Sequence, residues 1–201
     1  MNQESVNIIP IIPLSIDDID FEAIDCIPSG PDINLVEDLE LDRGKLYLKK
    51  NYYYHYYKLI DVTEIIGSNS KITFFTVSDD LHPYVVFQLK NIDRFITIRL
   101  LTIDTENNEK IIEMTTKTSS VIIENADYCK IPLVIGEGWQ RLCINLSDIL
   151  KTAFNVKYRN CQEVTVYGSC RIACIFFQSK DYADPQLPKF LRVTNSYLTS
   201  S

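Results

Sequence analysis

The hydrophobic pattern of this chain changes near residue 45. From there to residue 178, short runs alternate apolar and polar positions and are rich in Ile, Val, Thr, Tyr and Phe, which is typical of half-buried β-strands. Turn-forming residues, such as Gly67-Ser68-Asn69-Ser70, separate the runs. Many short strands at this spacing predict an all-β protein, an antiparallel β-sandwich or barrel. We predict strands at 46–49, 52–60, 71–77, 83–90, 94–103, 110–115, 119–123, 131–135, 139–146, 163–168 and 170–178.

One stretch changes its hydrophobic period from about two residues to about 3.6. Leu142 and Ile144 alternate with polar residues, as in a strand that begins after the turn Gly136-Glu137-Gly138. The following residues carry the apolar stripe of a short amphipathic α-helix. We expect Ser147 to cap this helix and Asp148 to face the positive end of its dipole. The stripe consists of Leu146, Ile149, Leu150, Ala153 and Phe154.

Residues 1–44 differ from the rest in charge and in pattern. They contain eleven acidic residues and one basic residue, Arg43, whereas the remainder has sixteen acidic and nineteen basic residues. Prolines interrupt any regular element in this segment. We interpret residues 1–44 as an extended acidic arm, 45–192 as the sandwich domain and 193–201 as a tail. The arm either stays solvated or docks on a basic surface of a partner, and its removal should leave the sandwich folded.

Candidate catalytic and metal-binding residues are few. The only histidines are His55 and His82. Neither is surrounded by the spacing of a catalytic triad, and His82 has no visible carboxylate partner. Cys170 and Cys174 lie four residues apart, but no second pair of ligands follows to complete a zinc site. The sequence therefore predicts a non-enzymatic protein with no metal, no other cofactor and no small-molecule substrate.

Charge and cysteine content restrict the compartment and the partners. The six cysteines follow no secretory signal, so free thiols in the cytoplasm are expected. No apolar run is long enough for a membrane helix, and no basic block suggests nucleic-acid binding.

A run of tyrosines offers a candidate aromatic surface. Two interpretations remain open: a platform on which sugar rings stack, or a strand that contributes rings to both the core and a protein interface. The candidate residues are Tyr52, Tyr53, Tyr54, Tyr56 and Tyr57.

Five motifs, in order, carry a family resemblance. They are the run from His82 to Asn91, then Phe95-Ile-Thr-Ile, Gly138-Trp139, Asn145-Leu146-Ser147-Asp148, and Cys170-Arg-Ile with Phe176-Phe177. This set resembles the cilia- and flagella-associated protein 20 family, also known as the DUF667 domain. The resemblance covers residues 81–192, and we expect a divergent member or paralogue.

The resemblance implies a jelly-roll β-sandwich similar to carbohydrate-binding modules, with no known enzymatic role. It also implies a structural protein of the ciliary or flagellar axoneme, located on doublet microtubules at or near the inner junction. There the family contacts tubulin, luminal proteins and parkin co-regulated protein. The open alternatives are a soluble carbohydrate-binding module that uses the tyrosine run, and a centriolar or nuclear regulator built on the same domain.

The sequence departs from the family pattern in three regions. Residues 1–80 show no resemblance, and the positions around the helix and after Arg171 carry fewer basic residues than is typical. The remaining basic residues are candidate contacts to tubulin, whose surface is acidic: Lys151, Lys157, Arg159 and Arg171. The structural signature consists of Gly138, Trp139, Asn145, Leu146, Ser147 and Asp148. Trp139 either packs under a loop or faces a partner, and both alternatives stay open.

Overall fold

The computed structural model describes residues 7–12, 26–38, 45–50, 53–58, 61–76, 78–188 and 191–192. Within these ranges, no helix is long and apolar enough to cross a membrane. The strands are β1 (Ile8–Ile12), β2 (Cys26–Ser29), β3 (Ile33–Glu37), β4 (Lys45–Lys50), β5 (Tyr53–Lys58), β6 (Asp61–Ile65), β7 (Lys71–Phe75), β8 (Tyr84–Asp104), β9 (Glu109–Thr115), β10 (Ile122–Asn125), β11 (Tyr128–Pro132), β12 (Trp139–Asn145) and β13 (Tyr158–Gln178). The helix is α1 (Leu146–Phe154), and a short 3-10 helix covers Asp184–Gln186.

The two longest strands, β8 and β13, lie antiparallel side by side along their whole length. Tyr84 pairs with Gln178 at one end, and Asp104 pairs with Tyr158 at the other. Midway, residues 92–95 of β8 lie opposite Ser169 alone, and this bulge interrupts the ladder. The gaps predicted in the sequence, between 90 and 94 and between 168 and 170, fall at this bulge.

Each half of this long pair has its own neighbours. On one side of the bulge, β12 pairs with β8, while β6 and β1 pair with β13 and β3 extends the sheet beyond β6. On the other side, β9 pairs with β8 and β7 pairs with β13, with β11 and β10 beyond β9 and β2 beyond β7. We call these the β12 half and the β9 half.

Strand directions differ from the fully antiparallel prediction at one place. β9 and β11 run parallel, whereas the other ladders of the described strands are antiparallel. β4 and β5 pair only with each other among the described strands, as a separate hairpin.

The main apolar core lies between the two halves. Phe87 and Leu89 from the β12 half, and Ile98 and Leu100 from the β9 half, are fully buried in one cluster. The positions of β8 that belong to this cluster change from odd to even across the bulge, because the extra residues shift which side chains face the core. Since one cluster takes side chains from both halves, they face each other as the layers of the predicted β-sandwich.

Three strands come from the range predicted to be an arm. β1, β2 and β3 pair with β13, β7 and β6 respectively, and Ile11 in β1 is only 6% exposed within the main core. The prediction that residues 1–44 lie outside the sandwich is therefore wrong for these segments. The edge of a sheet can pair with a segment that shows no strand periodicity of its own, because the ladder uses backbone groups. The boundary at residue 45 stays a prediction, and residues 193–201 lie outside the described residues.

Candidate functional site

The predicted strand-to-helix stretch is confirmed, but its cap is different. Helix α1 begins at Leu146, and Asn145 rather than Ser147 is the N-cap. The Asn145 side chain accepts a hydrogen bond from the backbone N–H of Asp148 at 3.2 Å and donates to the Asp148 carboxylate at 2.7 Å. β12 pairs through Asn145, opposite Tyr84, so the helix starts as soon as the strand ends. Ser147 is thus inside the first turn, and Asp148 lies there as predicted.

The rest of the signature builds the fold. Leu146 and Leu150 are fully buried in the main core, and the backbone N–H of Leu146 donates to the Pro83 carbonyl at 2.8 Å. Gly138 has a positive φ of 70°, which favours glycine at this turn. These contacts give the signature an architectural role.

Trp139 packs within the protein. It is 4% exposed and forms a small cluster with Val62 and Ala173, against which Val36 also packs. This cluster lies on the outer face of the β12 half, away from the main core. Among the described residues, the Trp139 Nε1 has no hydrogen-bond acceptor. Of the two alternatives for Trp139, the structure therefore favours internal packing.

A charged row lies beside Trp139. Trp139, Lys90, Arg171 and Glu64 are directly opposite one another across β12, β8, β13 and β6, so their side chains share one face. Arg171 donates from Nε to Glu64 Oε2 at 2.7 Å and from Nη1 to Asp38 Oδ2 at 2.8 Å. Lys90 Nζ lies 3.6 Å from the same Asp38 oxygen.

Burial makes this network part of the architecture. Asp38 is 2% exposed, and the hydrogen bonds that Arg171 donates, first to Asp38 and then to Glu64, raise the pKa of Arg171. The cation of Arg171 is therefore neutralised inside the chain, which corrects its assignment as a candidate contact to tubulin.

The other three candidate basic contacts are exposed and do not form one patch with Arg171. Arg159 hydrogen-bonds to Asn107 Oδ1, and the Lys157 carbonyl accepts from Thr105 N–H at 3.1 Å, so both lie beside the turn between β8 and β9. Lys151 donates to Asn155 Oδ1 at 2.9 Å near the C-terminus of α1. Arg171 is in the opposite half of β13.

The tyrosine run forms part of the β4–β5 hairpin. Tyr53, Tyr54, Tyr56 and Tyr57 lie in β5, where Tyr54 pairs with Lys49 and Tyr56 pairs with Tyr47. Tyr52 lies outside the described residues. The aromatic surface therefore stays a prediction, now placed on a hairpin separate from the main sheet.

A groove that sequence reasoning missed lies on the outer face of the β9 half. Its floor consists of the outward-facing residues of four strands, whose neighbours in sequence point into the core. One row of the floor runs across β7, β13, β8 and β9 and consists of Lys71, Tyr167, Thr97 and Thr115. Three adjoining cavities of about 510, 220 and 170 Å³ all include Tyr167. We call this feature the Tyr167 groove.

Hydroxyl pairs line the groove floor. Thr73 Oγ1 lies 3.0 Å from Thr165 Oγ1, and Thr97 Oγ1 lies 2.8 Å from Thr115 Oγ1. Cross-strand threonine pairs of this kind stabilise a sheet face. The sequence signal for this surface was the alternation of threonines with Ile and Leu in the predicted strands, which identifies an outward face but no groove.

A second unpredicted contact joins His82 to Asp79. The His82 Nδ1 and the Asp79 Oδ1 are 2.5 Å apart, so the expectation that His82 lacks a carboxylate partner is wrong. The hydrogen bond with His82 lowers the pKa of Asp79. His82 is 5% exposed, and its Nε2 has no partner among the described residues. The sequence signal for this contact was the spacing of three residues between Asp79 and His82 within a turn.

The described thiols are free, and most are buried. Desolvation raises the pKa of Cys129 and Cys143 to about 11 and that of Cys161 and Cys170 to about 12. Such thiols stay protonated and pack as small apolar side chains. In the described part of the chain, no group of three or more His, Cys, Asp or Glu is placed to hold a metal ion.

These features define the class of protein: an all-β sandwich. Its sequence signature has an architectural role, and charged side chains lie on the outer faces of both halves. The CFA20 domain matches residues 59–195, which is about two thirds of the chain. The chain belongs to the CFA20 domain family. The resemblance found in the motifs is thus confirmed, and the expected lack of resemblance is wrong for residues 59–80.

Named relatives agree with this assignment. The cilia- and flagella-associated protein 20 of Paramecium tetraurelia is 27% identical over 134 residues, which cover 63% of this chain and 70% of that protein. The protein of the same name from Chlamydomonas reinhardtii is 26% identical over the same shares. Among solved structures, the family 11 carbohydrate-binding module of Clostridium thermocellum aligns with 87% of this chain and 97% of its own, at 9% identity and a TM-score of 0.39.

Proposed function

We propose that this protein is a non-enzymatic structural component of cilia or flagella, associated with doublet microtubules at or near the inner junction. The observation that carries the proposal is the CFA20 domain match over residues 59–195, together with relatives named cilia- and flagella-associated protein 20. We place the protein in the cytoskeleton of the axoneme, with tubulin, neighbouring axonemal proteins and parkin co-regulated protein as partners.

The exposed cations next to the β8–β9 turn support tubulin as a partner. Lys157 and Arg159 are exposed beside this turn, where Arg159 has no carboxylate partner among the described residues, and Lys151 is exposed near the C-terminus of α1. Exposed cations of this kind attract acidic surfaces and steer association. Arg171 is left out of this contact set because Asp38 and Glu64 neutralise it. Affinity would arise from repeated placement along a lattice, where each bound copy raises the local concentration for the next.

Localisation tests the proposal directly. A tagged full-length chain should be retained in axonemes after detergent extraction and should lie along the doublet microtubules. The double variant Lys157→Glu with Arg159→Glu should reduce retention, while the reversal Glu137→Lys, at an exposed position of another loop, should not. Recovery of the wild-type chain only in the cytosol or the nucleus would contradict the proposal and would favour the centriolar or nuclear alternative.

Glycan binding is the test of the remaining alternative. A soluble carbohydrate-binding module would retain soluble β-glucans on a native affinity gel, and a Tyr54→Ser, Tyr56→Ser variant would lose that retention. We expect no retention of the wild-type protein.

A further inference from the structure

We propose that the Tyr167 groove binds an extended acidic peptide segment of a partner protein. This inference stands apart from the proposed ciliary function, since the groove is a different surface from the cations beside α1. The groove is exposed, lies on the outer face of the β9 half, and its floor is a row of residues in register across four strands.

The charge of the groove points to an acidic ligand. Lys71, Arg99 and Lys117 line it, and none of the three has a carboxylate ion-pair partner within the described ranges. The Nζ of Lys71 lies 5.6 Å from the centre of the Tyr167 ring, and the Nζ of Lys117 lies 5.1 Å from the centre of the Phe95 ring. Contact with aromatic rings holds these cations at the surface without neutralising them.

A fourth cation in the groove is already neutralised. Lys130 Nζ lies 3.3 Å from a Glu124 carboxylate oxygen and 3.7 Å from one of Glu113. Glu163 is then the one lining carboxylate without an ion pair in the described part of the chain. Lys130 meets two carboxylates, so the groove and its edge carry four cations against three carboxylates, Glu113, Glu124 and Glu163, and stay positive in a chain whose formal net charge is −7.

The spacing of the cations fits an extended chain. Lys71 lies on β7, and Lys117 follows β9, three strand spacings away. At about 4.8 Å for each strand spacing and about 3.3 Å per residue, the backbones of these two residues are roughly 16 Å apart. An extended peptide covers that span with about five residues. Arg99 lies two residues along β8 from Thr97, on the side of that row away from Lys117, so the three cations are spread over the groove rather than placed in one line.

Exposed apolar side chains at the groove indicate a peptide rather than a purely ionic ligand. Ile122, in the edge strand β10, is 41% exposed and lines the largest cavity, and Phe95 is 48% exposed and lines another. A peptide carries apolar side chains beside its carboxylates. Nucleic acid is disfavoured because its phosphates recur at a fixed spacing and would also face Glu113 and Glu163, whereas a peptide can place uncharged side chains at those points and its carboxylates at the cations.

Fluorescence anisotropy tests the proposal with labelled hexaglutamate as the probe. The full-length protein should bind it, should not bind labelled hexaglutamine, and should lose affinity as ionic strength rises. The double variant Arg99→Gln with Lys117→Gln should weaken binding by about tenfold, because each exposed ion pair contributes roughly threefold. The matched double variant Lys151→Gln with Lys157→Gln removes the same charge from another exposed surface and should change affinity by less than about twofold.

Three results would overturn the proposal. They are equal binding of hexaglutamine, equal weakening by the two double variants, and tighter binding of a single-stranded oligothymidine that the groove variant abolishes. Where the groove variant fails to fold, as judged by circular dichroism, a photo-crosslinkable hexaglutamate is used on the wild-type protein. Crosslinks should map to β8, β13 and residues 113–118, and crosslinks confined to α1 would refute the groove. Neither fluorescence anisotropy nor crosslinking depends on where the protein is in the cell. The outcome for the groove is therefore independent of the proposed ciliary function.

Discussion

The guanidinium of Arg171 holds Asp38 by a hydrogen bond of 2.8 Å from Nη1 to Oδ2, and Asp38 is 2% exposed directly after β3. Arg171 lies in β13, and β6 separates β3 from β13 in the sheet. This ion pair therefore ties the end of an N-terminal strand to the central strand of the fold. It also shows that a residue predicted to contact a partner forms its ion pairs within the chain.

Loss of the Arg171 side chain should destabilise the fold. Arg171→Met removes a hydrogen-bonded cation from two buried carboxylates, of which Asp38 keeps its contact with Lys90, so we expect the free energy of unfolding to fall by about 1–3 kcal/mol. The range is below that of fully buried pairs because the Arg171 side chain is 28% exposed. Urea denaturation at neutral pH measures it. Arg99→Met, at an exposed position, should change stability by less than about 0.5 kcal/mol. Similar losses for both variants would contradict a stabilising role of the Arg171 ion pairs.

The N-terminal strands should contribute to stability, contrary to an arm that can be removed freely. Ile11→Ala in β1 deletes a core side chain that is 6% exposed and should cost about 2–4 kcal/mol. Ile27→Ala in β2, where the side chain is 56% exposed, should cost less than about 0.5 kcal/mol. Thermal and urea unfolding of both variants provide the comparison. An Ile11 variant as stable as the wild type would show that β1 is dispensable.

The helix cap distinguishes two neighbouring polar residues. Asn145→Ala removes the acceptor for the Asp148 N–H and should cost about 1 kcal/mol. Ser147→Ala, inside the first turn, should be close to neutral. Chemical denaturation of the two single variants measures both effects, and the reverse order of stability would place the cap at Ser147.

Gly168 should tolerate no side chain. Its φ is +98°, and a Cβ built there would lie 1.9 Å from the Phe95 carbonyl oxygen, so the bulge of β8 and β13 would have to open. We expect Gly168→Ala to cost more than about 4 kcal/mol or to abolish folding. Gly138 also has a positive φ, of +70°, but a Cβ built there meets no atom within 4 Å. The cost of Gly138→Ala should be limited to backbone strain of about 1–2 kcal/mol. Comparable unfolding midpoints for the two variants would disprove the close approach.

Acid should weaken the contact between Asp79 and His82. The hydrogen bond with His82 lowers the pKa of Asp79 below its usual 3.8 in the folded protein. A lowered folded pKa means that the stabilisation is present above about pH 4 and is lost as the pH falls through the folded value. The wild type should therefore lose more stability between pH 7 and pH 3 than Asp79→Asn, as measured by urea midpoints. Asp80→Asn, at the neighbouring exposed position, should keep the wild-type pH dependence.

Part of the fold could be predicted because its signals are local. The alternation of apolar and polar positions locates β7, β9 and β12, and the stripe from Leu146 to Phe154 locates α1, since each pattern depends only on spacing within one element. Around residues 92 and 169 separate strands were predicted, whereas the structure has one continuous strand on each side of the bulge, β8 and β13. β1, β2 and β3 were missed, because proline and acidic residues obscure any period and these strands form only by pairing with a sheet made elsewhere in the chain.

The sequence by itself determined the class of fold, the strand-to-helix signature and the family, since these depend on short motifs in a fixed order. Only the tertiary structure decided which charges are free. Arg171 and Arg99 are both arginines on strands, yet one meets Asp38 from a segment 133 positions away while the other stays exposed in the Tyr167 groove. The same holds for Trp139, whose burial depends on Val62 and Ala173. Contacts between distant segments follow from how the two halves fold over one core, which no local pattern encodes.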